Sequence, residues 1–287
     1  MKISDVLNNG KVTISCELFP PKHGSVLSGI QDVVRETIKL HPSFISITHH
    51  AGGIINSDMI SLLSEVQNYG LPVLPHLTCI SLDHPTVRNI LSELKKNGIK
   101  NILALRGDIP HGQEFTKNEQ YHHASDLMKE IQDLGDFCIG GACYPEGHPE
   151  STSLEKDMES LKIKVDNGCQ FLTTQMFFDN NILYNFLYRM LNHKIDVPII
   201  AGIMPVVDSR LITRICKLSN TVLPPRFRMI IDKFSGNSST MSQAGIAYAT
   251  EQIIDLIAND IHHIHIYTMN KPDIAGRIMN NLSEILK

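Results

Sequence analysis

Apolar, β-branched segments recur along the chain, and each is followed by a segment with helical periodicity. Strands with so few polar positions are typical of a parallel sheet that helices cover on its outer face. Eight repeats of strand and helix in 287 residues match an α/β fold, the (β/α)8 TIM-type barrel, for which about 250 residues are typical. The predicted strands are Val12–Phe19, Phe44–Thr48, Val73–Cys79, Asn101–Arg106, Cys138–Tyr144, Phe171–Phe178, Pro198–Met204 and Ile261–Thr268.

Helix signals lie between these strands. Val26–Leu40 and Asp126–Leu134 each place apolar residues on one face, and Thr152–Val165 begins with a capping box that Thr152 forms with Glu155. No change in composition divides the chain, so residues 1–287 are predicted to form a single domain. An open doubly wound sheet is the alternative, but no G-x-G-x-x-G turn follows the first strand. The long interval before the last strand predicts three extra helices, Ser209–Leu218, Pro225–Phe234 and Met241–Asn259.

Composition is that of an ordinary globular protein, with 42% hydrophobic residues, 20% charged residues and a formal net charge of -4. This balance gives no reason to expect nucleic acid or an anionic membrane as a partner. No apolar run approaches the ~20 residues that span a bilayer, and the N-terminus lacks the apolar core of a signal peptide. Six scattered cysteines without Cys-x-x-Cys spacing indicate reduced, buried thiols, so a cytoplasmic location is predicted.

Polar side chains stand at the carboxyl ends of nearly all the predicted strands. In a barrel these ends meet at one mouth, which is where active sites lie. A single polar residue there is typically a turn or a cap, but the recurrence of such residues predicts a site. The set comprises Glu17, Thr48, His49, His50, His76, Thr78, Arg106, Asp108, Tyr144, His148, Thr174, Gln175 and Tyr267.

Glu17 is a carboxylate within the apolar first strand. An alternating position in a strand faces either solvent or the closed interior. A buried carboxyl group would hold its proton unusually tightly, whereas a solvated glutamate on a strand is the commoner case. The strand alone leaves both alternatives open.

Arg106-Gly107-Asp108, at the end of the fourth strand, is the strongest single motif. Arg106 is a planar cation suited to a phosphate or a carboxylate, and Gly107 lets a ligand approach the backbone closely. Asp108 is an acceptor suited to an amino-pyrimidine edge. An ion pair between Arg106 and Asp108 that closes the loop is the structural alternative.

Histidine pairs at His49-His50, His122-His123 and His262-His263 raise the question of a zinc site. Neighbouring residues on a strand point to opposite faces, so a pair of histidines does not make a chelate. No acidic residue falls at a recurrent ligand spacing from them either. The sequence therefore predicts no metal site.

Several motifs along essentially the whole chain resemble, in the same order, the methylenetetrahydrofolate reductase family in its short bacterial form, which consists of the catalytic barrel only. The motifs are Glu17-Leu18-Phe19-Pro20-Pro21-Lys22, Pro75-His76-Leu77-Thr78-Cys79, Ala104-Leu105-Arg106-Gly107-Asp108, Tyr144-Pro145-Glu146-Gly147-His148-Pro149-Glu150, Lys164-Val165-Asp166-Asn167-Gly168, Thr174-Gln175-Met176-Phe177-Phe178-Asp179 and Tyr267-Thr268-Met269-Asn270.

The resemblance implies an FAD enzyme of one-carbon metabolism. NADH or NADPH, or another donor such as a partner protein, would reduce FAD, and hydride would then convert 5,10-methylenetetrahydrofolate to 5-methyltetrahydrofolate. The family commonly forms dimers or tetramers, which implies a homo-oligomer. The implied FAD contacts are Thr48, Ala51, His76, Arg106, Gly107, Asp108, Ala124, Ala142, Tyr144, His148, Asp157 and Lys164.

The resemblance also implies the substrate side of the site. Asp108 would lie near the flavin ring and the pterin, Gln175 would bind folate, and Lys271 would pair with the folate glutamate tail. Protonation of the folate at N10 needs an acid that is protonated at working pH. A glutamate on an inner strand near Asp108 would have its pKa raised by burial and by like charge, so Glu17 is the predicted acid.

Some residues depart from the family pattern. The helix after the seventh strand usually offers a glutamine and an aromatic residue to the stacked substrates, and Leu211 and Ile215 stand there instead. The departure removes groups on which a nicotinamide would stack, so a donor other than a free nicotinamide stays an alternative. Two other functions stay open, namely a flavin-free methyltetrahydrofolate-binding barrel of the methyltransferase type and a non-catalytic scaffold.

Overall fold

A computed structural model describes residues 1–20, 27–48, 57–80, 82–108 and 120–287. Eight parallel strands, each within its predicted range, close into a barrel in sequential order. The (β/α)8 prediction is thus confirmed. The strands are β1 (Thr13–Leu18), β2 (Ile45–Ile47), β3 (Val73–Thr78), β4 (Asn101–Leu105), β5 (Cys138–Cys143), β6 (Phe171–Thr174), β7 (Ile199–Ile203) and β8 (His263–Tyr267).

Helices connect consecutive strands, and three of them lie between β7 and β8, as predicted. None of the helices in the described ranges is both long enough and apolar enough to cross a membrane. Their bounds are α1 (Ile3–Leu7), α2 (Leu27–Ile38), α3 (Ser57–Asn68), α4 (His84–Lys96), α5 (Ala124–Leu134), α6 (Leu154–Asp166), α7 (Asn180–Asn192), α8 (Ser209–Ser219), α9 (Pro225–Phe234), α10 (Ser238–Ala258) and α11 (Pro272–Asn281).

The predicted capping box of α6 is wrong. The helix begins at Leu154, and the hydroxyl of Ser153, rather than that of Thr152, accepts a hydrogen bond from the amide of Lys156 at 3.2 Å. The reason is local, because the Ser151 hydroxyl donates to the carbonyl of Ser153 at 3.0 Å and so holds the preceding residues in a separate turn.

Among the described residues, three apolar clusters hold the fold together. The largest lies between the sheet and the surrounding helices. The second fills the lower barrel, where Phe44, Phe171 and Ile200 meet Ile3 and Leu7 of α1. The third joins α8 and α9 to the strand ends at the mouth. All six cysteines are buried with free thiols, as predicted.

Candidate active site

A cavity of about 470 Å³ opens at the carboxyl ends of the strands. A space of this size suits part of a cofactor or a small substrate. Its lining residues, drawn from all eight strands and their following loops, are Glu17, Phe19, Ser46, Thr48, Leu74, His76, Leu103, Leu105, Asp108, Ala142, Tyr144, Thr173, Thr174, Gln175, Met176, Met204, Ile215, His265, Tyr267 and Met269.

One wall of the barrel interior carries a ladder of polar pairs, which we call the polar ladder. The parallel register of β1 and β8 sets three residues of each strand opposite one another. Alternating residues of a strand share a face, so all six side chains lie on one side of the sheet. The pairs are Thr13 with His263, Ser15 with His265, and Glu17 with Tyr267.

Glu17 stands at the upper end of the polar ladder, with its side chain 9% exposed. Its flanking neighbours Cys16 and Leu18 pack towards the helices, so Glu17 faces the interior and the solvated alternative is excluded. Burial raises the pKa of Glu17 to about 8. A carboxyl group with this pKa is mostly protonated at neutral pH.

Two histidines flank that carboxyl group. Oε2 of Glu17 lies 3.7 Å from Nε2 of His76 and 4.0 Å from Nε2 of His265. These separations would suit weak ion pairs, but burial lowers the pKa of His265 to about 3 while that of Glu17 rises. Because the pKa of Glu17 is higher than that of His265, the proton resides on the carboxyl group and His265 is neutral.

The turn after β8 holds the end of β1 in place. Asn270 accepts a hydrogen bond from the amide of Phe19 at 2.8 Å and donates one to its carbonyl at 2.9 Å. The Thr268 hydroxyl donates to the carbonyl of Glu17 at 2.6 Å. Met269 and Asn270 adopt left-handed backbone angles, with φ of 52° and 57°, and Met269 lines the cavity.

The opposite wall presents Asp108 and Gln175 to the cavity. Asp108 is exposed at the rim, and the side-chain oxygen of Gln175 accepts from the amide of Met176 at 2.9 Å. That contact leaves the two N–H groups of Gln175 as donors for a ligand. Nearby, a side chain at Gly202 would meet the carbonyl of Thr174 at 2.4 Å, so glycine is required for this close packing.

A second group, which we call the cationic cluster, is formed by the predicted residues Arg106, Asp157 and Lys164 together with Glu150. Arg106 makes a bidentate pair with Glu150 at 2.5 and 2.6 Å, so its partner is Glu150 and not Asp108. The buried Lys164 ammonium donates to the carbonyl of Ala142 at 2.8 Å. Burial lowers the pKa of Lys164 and raises that of Asp157.

Four further predicted residues lie after β4 or β5 or at the start of α5, namely Gly107, Tyr144, His148 and Ala124. The His148 ring packs edge-on against Tyr144 at 4.6 Å, and burial lowers the pKa of His148. Gly107 has φ of +89°, and a side chain there would contact Ile80 at 2.8 Å, so this position requires glycine. Ala124 is the buried first residue of α5.

The remaining predicted residues lie apart from both groups or outside the described residues. Lys271 caps α11 just after the β8 turn and does not line the cavity. Ile215 lines the cavity, whereas Leu211 on the same helix is exposed. Ala51 and the pair His49-His50 lie outside the described residues.

Sequence reasoning missed two contributors. Ser46 and His265 line the cavity, yet Ser46 resembles an ordinary strand residue and His265 stands in a segment with other histidines. The strict alternation of polar and apolar residues in β1 and β8 was the available signal, because it is unusual in strands buried on both faces. Among the described residues, no group of three or more His, Cys, Asp or Glu side chains is arranged to hold a metal ion.

Comparison with solved structures supports the fold. A Clostridium thermocellum protein, described as binding two copies of 5-methyl-5,6,7,8-tetrahydrofolic acid, superposes with a TM-score of 0.63. The two chains are 16% identical, and the match covers 99% of this chain and 100% of that one. An oxaloacetate acetylhydrolase superposes with a TM-score of 0.53 at 10% identity, over 99% of this chain and 84% of that one. At these identities the likeness concerns the barrel alone.

Comparison of sequences identifies the family. The 5,10-methylenetetrahydrofolate reductase of Escherichia coli (strain K12) is 32% identical over 274 residues, which cover 95% of this chain and 91% of the relative. The enzyme of the same name from Pectobacterium carotovorum is 31% identical with the same coverage. The sequence model named methylenetetrahydrofolate reductase matches residues 2–283. The chain therefore belongs to the methylenetetrahydrofolate reductase family of oxidoreductases, as its motifs predicted.

Proposed function

We propose that the chain reduces 5,10-methylenetetrahydrofolate to 5-methyltetrahydrofolate with Glu17 as the general acid. Family membership supports the reaction, and the state of Glu17 supports the role of the residue. A buried carboxyl group whose pKa is raised to about 8 carries its proton at neutral pH and faces the cavity. General acids work best when their pKa lies near the operating pH. The burial of Glu17 in a position that faces the cavity is the observation on which the proposal depends most.

The proposed cofactor is FAD, and the cationic cluster fits it. Asp157 is 6% exposed, and its Oδ2 has no hydrogen-bond partner among the described residues. A buried acceptor of this kind is costly unless a ligand donor, such as a ribose hydroxyl, satisfies it. Arg106 and Lys164 supply the positive charge that a diphosphate needs. When bound, FAD would supply the two-electron transfer that no side chain of the chain can perform.

The residues of the chain have separate tasks in this proposal. Glu17 gives its proton to N10 of the folate, which opens the five-membered ring to an iminium that accepts hydride. Asp108 and Gln175 orient the pterin through its amino and amide groups, and Lys271 pairs with the glutamate tail. After the reaction Glu17 recovers a proton from water that enters at the mouth.

The hydride donor is proposed to be NADH or NADPH, or else a partner protein. Ile215 gives the cavity an apolar wall but no hydrogen-bonding group, and Leu211 is directed to solvent. Neither residue offers the stacking that an aromatic side chain would give a nicotinamide ring. Donor identity is therefore best decided by direct reduction.

Anaerobic spectroscopy tests this function. We expect the purified protein to show flavin absorbance that NADH or NADPH bleaches, and methylenetetrahydrofolate to restore the colour with formation of one methyltetrahydrofolate per flavin. If neither nucleotide bleaches a flavin that dithionite does reduce, and methylenetetrahydrofolate then reoxidises it, the donor is a partner protein. If the protein binds methyltetrahydrofolate but no FAD under any condition, the flavin-free barrel is the correct function.

We further propose that residues 1–287 act as one catalytic unit within a homo-oligomer in the cytoplasm. Light scattering of the FAD-loaded protein measures the oligomeric state directly. A mass equal to that of one 32.1 kDa chain would contradict this proposal and leave the proposed reaction untouched.

A further inference from the structure

We propose that His265 is a positioning residue for Glu17, held by two serine hydroxyls in a form that cannot take the carboxyl proton. The proposal rests on the proposed function, since it assigns Glu17 the proton that the folate receives. It adds Ser15, Ser46 and His265 to the site, and gives each of them a definite hydrogen-bonding role.

The hydrogen bonds around the His265 ring define its tautomer. The Ser15 hydroxyl donates to the carbonyl of Ile264 at 3.1 Å, and Oγ of Ser15 lies 2.7 Å from Nδ1 of His265. A hydroxyl has a single proton, so with that proton on the carbonyl the ring must donate from Nδ1. Nε2 is then the acceptor, and the Ser46 hydroxyl donates to it at 3.1 Å. Both ring nitrogens are satisfied while the ring is neutral.

The packing around the ring restricts its rotation and its contact with water. His265 is 2% exposed and stacks against Phe44, with ring centroids 6.1 Å apart. Tyr267 closes the next face edge-on at 5.3 Å. Protonation of the ring would need a nearby anion or water, because an isolated buried cation is costly.

Glu17 is the carboxyl group that could become that anion. The titratable side chains that line the same cavity are His76 from β3, Asp108 after β4, Tyr144 after β5, and His265 and Tyr267 from β8. Among these described residues, only the two histidines could offer Glu17 a positive charge. Nε2 of His265 is 4.0 Å from Oε2 of Glu17, a short movement from an ion pair.

The Ser46 hydroxyl therefore controls which group carries the proton. With the hydroxyl in place, the Nε2 lone pair is used and the proton stays on the carboxyl group. Without it, Nε2 has a free lone pair that faces Glu17 across 4.0 Å. Transfer of the proton would then create an imidazolium next to a carboxylate, and an opposite charge this close lowers the pKa of an acid.

Ser46→Ala tests the inference by pH dependence. Folate reduction by the wild-type protein should decline above about pH 8, where Glu17 loses its proton. In the variant we expect this decline to begin at least one pH unit lower, with roughly tenfold slower folate reduction near neutral pH. The control is Thr37→Val, which removes the hydroxyl of a fully buried residue on α2 that does not line the cavity, and should leave the profile unchanged.

The double variant Ser46→Ala/His265→Asn separates this role from a merely structural one. Asparagine cannot be protonated, so we expect the pH profile to return to that of the wild type. If the shift of the pH profile in Ser46→Ala came from damaged packing, the second substitution would increase the shift and not reverse it. An unshifted profile in Ser46→Ala, or a shifted one that persists in the double variant, would overturn the inference.

A spectroscopic measurement needs neither folate nor turnover. In the FAD-loaded protein with ¹⁵N-labelled histidine, we expect the His265 ring to stay neutral with its proton on Nδ1 from about pH 5.5 to 8.5. In Ser46→Ala the same ring should become protonated near neutral pH. A wild-type ring that titrates within this range would refute the inference even if folate reduction itself were confirmed. Loss of folate reduction with a neutral, fixed ring would instead refute the proposed reaction.

Discussion

The polar ladder lies on β1 and β8, the cationic cluster lies on α6 and the loops after β4 and β5, and the two treat titratable groups differently. In the polar ladder, burial raises the pKa of Glu17 to about 8 and lowers that of His265 to about 3, so neither group is charged at neutral pH. In the cationic cluster, Arg106 holds the pKa of Glu150 below its ordinary value, and Glu150 raises that of Arg106. The polar ladder keeps these two groups neutral, whereas Arg106 and Glu150 keep their charges.

Lys164 and Asp157 show why the cationic cluster suits binding. Both are buried, and burial opposes the charge of each, but each also stabilises the charge of the other. Such groups gain most when a ligand brings an anion or a hydroxyl donor to them. Under the proposed function, the group that transfers a proton is isolated from charge, whereas the groups that bind the cofactor are placed among charges.

The largest expected effect comes from replacing Glu17, the residue of the polar ladder whose carboxyl group carries the proton. Glu17→Gln should slow folate reduction by about 100-fold or more, because a general acid contributes at least that factor. Reduction of the cofactor by its donor should stay within about twofold, since that half-reaction does not use this proton. Stopped-flow measurement of the two half-reactions tests both parts.

Glu146→Gln is the matched control for that substitution. Glu146 is another glutamate whose pKa burial raises, but it accepts hydrogen bonds from the amide of Val222 and does not line the cavity. The rate of folate reduction by the Glu146→Gln variant should stay within about twofold of the wild-type rate. If Glu17→Gln reduced folate normally, the polar ladder would not supply the proton of the reaction, and its proposed contrast with the cationic cluster would be wrong.

The same substitution should stabilise the fold. The pKa of Glu17 rises from 4.5 to about 8 on folding, so the unfolded chain releases its proton first as pH increases. Wild-type stability therefore declines between those two pH values, and glutamine avoids this loss. At about pH 7 we expect Glu17→Gln to raise the free energy of unfolding by about 3 kcal/mol.

Denaturant unfolding at several pH values measures this difference. The gain should disappear below about pH 4.5, where the carboxyl group is protonated in both states. A gain that does not depend on pH would mean that packing, and not ionisation, explains the stabilisation.

The cationic cluster should respond through affinity. Lys164→Met removes a buried ammonium while keeping most of its apolar length, and we expect FAD affinity to fall roughly 10- to 100-fold. Lys162→Met is the control, because Lys162 lies on the same helix but pairs with Asp166 at the surface. Flavin fluorescence quenching measures both affinities, and equal losses in the two variants would show that Lys164 has no special role.

The fold was predictable because its signals are local. Each strand lies in an apolar run of the sequence, and the helix ends at Asn167-Gly168 and Gly98 follow from residues that tolerate positive φ. The start of α6 was missed because three consecutive hydroxyl residues precede it, and sequence alone does not choose among them.

The site was predictable in its members but not in its pairings. Strand ends identified Glu17 and Asp108, because all parallel strands of a barrel end at the same mouth. The partner of Arg106 is Glu150, which is 44 residues away, and no local rule predicts such a pair. His265 meets Ser15 and Ser46 only because β8 closes the barrel beside β1, a register that depends on the whole sheet.

The smallest effect is expected at the exposed end of the cationic cluster. Glu150 is 55% exposed, so Glu150→Gln should change the free energy of unfolding by less than about 1 kcal/mol. It frees Arg106 for an anion, and we expect FAD to bind a few-fold more tightly at low salt, with the gain lost at high salt. Glu159→Gln, which breaks the surface pair with Lys156, is the control and should not change affinity. A loss of FAD affinity above about tenfold would instead show that Glu150 holds Arg106 in the orientation that binds FAD. The ion pair between Arg106 and Glu150 would then be required for binding and would not compete with FAD for Arg106.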